Sequence, residues 1–187
     1  MSLIAEAPTS PTETEPEGRY EVVRGVVVEK APMGVFEAEV ASVVLEHLGP
    51  IARSRRIGRA VSETLFLIDP ATDLKRRPDL AFVSHERWPL ENRAPRAPVW
   101  EIVPEIAVEI ISPTNLANEV EGRVGEYLKA GVRLVWVVYP IHGVVYVYES
   151  ADVVRPLRLA KDDVLDGGAV ASGFALALTD LLGAPND

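Results

Sequence analysis

Apolar and polar positions follow two rhythms along this chain, and the changes between them mark its elements. From Arg19 the period is two, and Tyr20 to Glu29 reads as two strands around a turn at Arg24-Gly25. Over residues 35–48 the rhythm becomes helical. Phe36, Val40, Val43, Val44 and His47 fall on one face, which predicts a core or interface position for His47, and Gly49-Pro50 closes the run. Glu37 shares a stripe with Ala41, Val44 and Leu48, so it borders the buried face. Strand patterns return at 58–68, 78–83 and 105–111. The proline-rich stretch 88–99 between the last two predicts a loop. A second helix is expected over 116–130, closed by Gly131, followed by two apolar strands, Leu134–Tyr139 and Val144–Tyr148. Asp166-Gly167-Gly168 predicts a turn and residues 179–182 a helical turn. This order predicts an α/β (α+β) domain, a mixed sheet with helices on it.

Composition narrows the chemistry. The 187 residues contain no cysteine, which removes disulfides, thiolate nucleophiles and Cys-held metal centres. Only three histidines are present, and no glycine-rich phosphate loop, G-x-S-x-G elbow or H-E-x-x-H pair occurs. Nineteen Lys and Arg stand against 28 Asp and Glu, a net charge of −9. Residues 1–18 hold four glutamates, three prolines and no basic residue, and read as a disordered tail. Residues 19–187 then carry −5; of these, 19–182 form the domain proper and 183–187 a short C-terminal tail. Acidity of this kind argues against holding nucleic acid by bulk charge, but not against carboxylates that recruit a divalent cation. No stretch approaches the roughly 20 apolar residues of a membrane span, and MSLIAEAPTS lacks the features of a leader. The expectation is a cytoplasmic protein with no membrane partner.

Carboxylates on strands are what remains. Asp79 opens the strand R-P-D-L-A-F-V directly after a proline, and Glu109 is embedded among aliphatics in E-I-A-V-E-I-I-S. An ionised carboxylate in such surroundings needs a cation or hydrogen bonds. Two readings stand side by side. Glu109 is a structural group, paired with an arginine or wet on an edge strand, or the two acids converge as ligands for magnesium.

The ordered set R-P-D-L-A-F-V, P-E-I-A-V-E-I-I-S-P-T-N, E-Y-L-K-A-G-V and R-L-V-W-V-V resembles the PD-(D/E)XK nuclease superfamily, over about residues 20–182. It is most similar to the Uma-type family of restriction endonuclease-like bacterial proteins. The resemblance implies a restriction-endonuclease-like fold and a magnesium- or manganese-dependent endonuclease acting on DNA. It implies Asp79 and Glu109 as metal ligands, the backbone carbonyl of Ile110 as a third, and Glu37 as an additional acidic ligand near a position where the Uma-type family often has histidine. It also exposes departures. Ile111 stands where the superfamily has lysine, and Arg123 where the Uma-type family has lysine on the following helix. Arg123 can offset charge on a phosphorane but cannot act as a base. Lys129 lies about 240° round the helix from it. The structural alternative for Arg123 is an i, i+4 pair with Glu119, worth about 0.2–0.5 kcal/mol. Tyr139 stands where the family usually has Asp.

Ten basic residues against six acids between Arg53 and Arg96 make a local excess that could contact phosphates, or simply solvated loops with Lys75-Arg76-Arg77 at a hairpin tip. Trp88 and Trp100 are expected to cover the core. The leading expectation is therefore a metal-dependent endonuclease with Asp79, Glu109 and Arg123 as catalytic residues. The alternative is a catalytically weakened nuclease-fold module binding nucleic acid or a protein partner. A homodimer through the apolar strands near 134–148 is a third possibility.

Overall fold

The computed structural model describes residues 18–183, so the two expected tails lie outside the described residues except for Gly18 and Gly183. The elements run β1 (Tyr20–Val23), β2 (Val26–Glu29), α1 (Val35–Ser54), β3 (Gly58–Ser62), β4 (Leu65–Asp69), β5 (Leu74–Arg76), β6 (Leu80–Ser84), β7 (Val99–Trp100) and β8 (Ile106–Ile110). They continue with α2 (Ala117–Ala130), β9 (Leu134–Tyr139), β10 (Val144–Tyr148), β11 (Val154–Arg158), β12 (Val164–Asp166), β13 (Ala175–Ala177) and α3 (Leu178–Leu182).

The strands form a six-stranded sheet ordered β11-β10-β9-β8-β6-β3 and a five-stranded sheet ordered β2-β1-β5-β4-β7, with β12 and β13 as a small pair. In the large sheet β8 and β9 are parallel, as the crossover through α2 requires, and the other pairs are antiparallel. Its two faces are both covered. Leu80, Phe82, Ile106, Val108, Trp136 and Val138 pack with Val40, Val44 and Leu48 of α1 and with α3. The intervening residues Ala81, Val83, Ala107, Val135 and Val137 pack with Val120, Val124 and Tyr127 of α2 and with Phe66 and Ile68 of the smaller sheet. Burial on both faces is why β6, β8 and β9 read as unbroken apolar runs. The fold is the expected mixed α+β arrangement.

Four local expectations change. The pattern at 58–68 is two strands, because Glu63 takes a left-handed φ of 50° and sends Leu65 into the other sheet. Helix α1 passes through Pro50 to Ser54; Pro50 is exposed, while Ala52 beyond it is fully buried and keeps the last turn on the core. His47 and Phe36 face outward, and the His47 ring bonds the Val43 carbonyl at 2.8 Å. Lys75 and Arg76 lie in β5, inside the smaller sheet between β1 and β4, and not at a hairpin tip. Trp88 and Trp100 meet edge to face at 5.4 Å over the core, with Trp100 also stacked on Phe66.

Candidate functional site

Asp79 and Glu109 meet because β6 and β8 are neighbours. Their antiparallel register pairs Leu80 with Val108, Ala81 with Ala107 and Phe82 with Ile106. One further step sets Asp79 opposite Glu109, and side chains so placed have Cβ atoms about 4.5–5.5 Å apart. Alternation along each strand puts both on the α2-facing side. They are buried, Asp79 3% and Glu109 2% exposed. Two facing carboxylates away from water are costly unless each is met by donors.

Each is met twice. Asp79 Oδ1 accepts from Lys30 Nζ at 2.9 Å, and its Oδ2 accepts from the Ile110 N–H at 2.7 Å. Glu109 Oε1 accepts from the Tyr127 hydroxyl at 2.7 Å, and its Oε2 faces Arg123 Nη1 at 3.3 Å. Lys30 also donates to the Arg77 carbonyl at 2.5 Å. Burial, reinforced by Asp79 and Glu21, pushes the Glu109 carboxyl up to about 7, although Lys30 and Arg123 pull the other way. Burial is the largest single influence on Lys30 and Arg123 and works against their charges, but the groups around them together outweigh it. Glu109 is foremost, joined by Asp79 and Glu21 at Lys30 and by Glu21 and Tyr127 at Arg123, and both cations are held above their ordinary values. Burial also drives the Tyr127 phenol well above its usual range, so Tyr127 donates and does not compete for the proton.

A cavity of about 310 Å³ opens beside the pair. Its wall includes Glu37, Asp79, Glu109, Ile110 and Arg123, so the five residues expected as metal ligands or catalytic groups border one space, while none of the basic residues between Arg53 and Arg96 lines it. Glu37, in the first turn of α1, folds back over Gly34, where a side chain would collide with its carboxylate. Among the described residues no three His, Asp or Glu side chains form a cluster able to hold a metal, so Glu37 shares the cavity without joining the other two acids. Ile110 presents its N–H to Asp79. Arg123 pairs with Glu109 and not with Glu119. Lys129 borders a different pocket, with Arg24, Asp69 and Glu126.

Two residues at the site escaped the sequence reading. Tyr127 had a signal, since Val120, Val124 and Tyr127 share one helical stripe and a buried tyrosine hydroxyl needs a partner. Lys30 had none. It follows an exposed edge strand and stands 49 residues from Asp79, and only the sheet brings them together.

The family model for Uma2, described as "putative restriction endonuclease", matches residues 6–179. No curated protein matches the chain. Among solved structures, a "putative nuclease belonging to DUF820" from Anabaena variabilis ATCC 29413 is similar, with a TM-score of 0.78 and 23% identity. The similarity covers 90% of this chain and 92% of that one, and it is a likeness of fold.

Proposed function

This chain belongs to the Uma2 family of restriction endonuclease-type proteins, and on that premise we propose that it hydrolyses DNA phosphodiester bonds with a divalent cation held at Asp79 and Glu109. The observation that carries this reading is the buried facing pair itself, bordering a cavity large enough for a phosphate group. Carboxylate oxygens are the hard donors that magnesium and manganese prefer. The pair also fits such a cation electrostatically, because two acids in one low-dielectric place push Glu109 toward neutrality unless positive charge is added. Two of their four partners, Lys30 and Arg123, sit on long flexible stems that can yield an oxygen.

When bound, the cation would supply a water ready to lose its proton near neutral pH and would withdraw charge from the phosphate. The remaining work falls to this chain's side chains. Tyr127 and the Ile110 N–H orient the two carboxylates from behind. Arg123, on the cavity wall, faces charge building on the phosphate as a permanent cation with planar N–H donors. With neither Ile111 nor Arg123 able to take a proton, no side chain at the two lysine positions acts as base.

Plasmid and single-stranded DNA incubated with magnesium or manganese provide the test, with wild type beside Asp79→Asn and Glu109→Gln. Wild type should cut, and each variant should lose about 100-fold or more, the scale of losing one preorganised electrostatic group. Equal behaviour of the three proteins would end the enzyme reading. Binding without cutting by all three would favour a nuclease-fold binding module. That second reading has its own support, since all four carboxylate oxygens already have protein partners.

A further inference from the structure

Lys30 enters the cavity from the loop joining β2 to α1, an approach separate from the two strands that bring Asp79 and Glu109 together. Its side chain is only 10% exposed, and its ammonium sits 2.9 Å from Asp79. It is also anchored to the Arg77 carbonyl at 2.5 Å, a contact that does not depend on Asp79. A lysine so held has two partners of different kinds. One is a carboxylate that a competing cation can claim, and the other a neutral carbonyl that no such cation disturbs.

We propose that Lys30 is an exchangeable counterion. It neutralises Asp79 in the resting protein and turns to the substrate phosphate when Asp79 and Glu109 take up a divalent cation. The idea rests on the metal-dependent reading above and adds a residue and an order of events to it. Removing Asp79 from Lys30 leaves a buried ammonium short of a counter-charge, which is unfavourable until an anion arrives. Arg123 is placed in the same position with respect to Glu109, but at 3.3 Å its contact is the looser one. Lys30, a compact charge on four methylenes, is the group better suited to turn without moving backbone. Two consequences follow. Lys30 competes with the cation, so it weakens cation binding, and the phosphate relieves that competition, so cation and nucleic acid bind cooperatively.

The experiment measures manganese affinity of the full chain by calorimetry, with and without a hydrolysis-resistant phosphorothioate oligonucleotide, for wild type, Lys30→Met and Lys30→Arg. Lys30→Met should bind manganese about tenfold more tightly than wild type and lose most of the gain that the oligonucleotide brings, a coupling of ordinary size. Lys30→Arg, which keeps the charge, should stay close to wild type. Melting with excess manganese covers the case in which Lys30→Met is poorly folded alone, since the cation then restores what the lysine supplied and the variant should regain a cooperative transition. Manganese binding to Lys30→Met no tighter than to wild type overturns the proposal. So does a variant that stays unfolded in excess manganese, or a wild type that binds none. Cation affinities that behave as expected without DNA cleavage would support the exchange and remove the nuclease reading.

Discussion

At the scale of single residues, Glu109 sets the electrostatics of the site. Its carboxyl titrates at about 7 in the folded chain against an ordinary 4.5, because burial and then Asp79 disfavour the charged form. The folded state therefore binds this proton more tightly than the unfolded state does. The resulting stability is present below about pH 4.5 and is lost as pH rises through about 7, up to about 3 kcal/mol in all. Urea unfolding of metal-free protein at pH 5 and pH 8 should show that loss, and Glu109→Gln should lack it. Identical pH responses would show that Glu109 does not titrate in this window. Tyr127→Phe removes one of the two donors on Glu109 and strands a buried oxygen, at a cost of about 1–3 kcal/mol in chemical denaturation. A variant as stable as wild type would mean that the phenol is not the partner the carboxylate depends on.

At the scale of elements, a second buried carboxylate holds the two layers together. Arg76 in β5 pairs with Glu21 of β1 at 2.5 Å and with Glu126 of α2 at 2.5 Å, so one guanidinium ties the smaller sheet to the helix that carries Arg123 and Tyr127. Arg76→Met leaves Glu21 buried without its counter-charge and should cost about 3–5 kcal/mol. Adding Glu21→Gln should recover part of this, because the amide oxygen can still accept the Arg77 N–H that Glu21 Oε1 accepts at 2.9 Å. Strictly additive losses in the double variant would show that the pair is not coupled. Arg76 also illustrates what the sequence conceals. The strands β6, β8 and β9 and the helix α2 were legible, because their periodicity reflects burial on local faces. Asp79 and Glu109 were legible as acids out of place in apolar strands. The partners of these acids were not, because Lys30 and Arg76 look like ordinary exposed cations until β1 pairs with β5 through Val22 and Lys75. The break at Glu63 and the helix running past Pro50 were hidden for a related reason. In each, packing of Leu65 or Ala52 outweighs a local preference worth at most about 3 kcal/mol.

At the scale of the whole molecule, the acidic balance and the fate of the basic residues point the same way. Half of the ten basic residues between Arg53 and Arg96 already have partners within the protein. Arg59 donates to the Leu90 and Asn92 carbonyls, Lys75 pairs with Asp73, Arg76 joins Glu21 and Glu126, Arg77 bonds the Tyr20 and Glu63 carbonyls, and Arg87 pairs with Glu105. Glu105 in turn accepts from Ser84 and fixes the far end of β6, so these cations hold strands in place. At most five of that stretch remain for phosphates. Each phosphate neutralised contributes about −0.9 to the slope of log affinity against log salt on duplex DNA. Metal-free protein should therefore bind a short duplex weakly, with a slope no steeper than about −4.5 in fluorescence anisotropy between 50 and 200 mM salt. Manganese should strengthen binding of a phosphorothioate duplex at fixed salt, because the cation supplies charge at the cavity that the surface lacks. A metal-free slope of about −6 or beyond would mean that cations beyond these five meet DNA, whether from the partnered set or from the nine basic residues elsewhere in the chain. In that case the interface would reach well past this stretch, and surface charge, not the cavity at Asp79 and Glu109, would dominate how the nucleic acid is held.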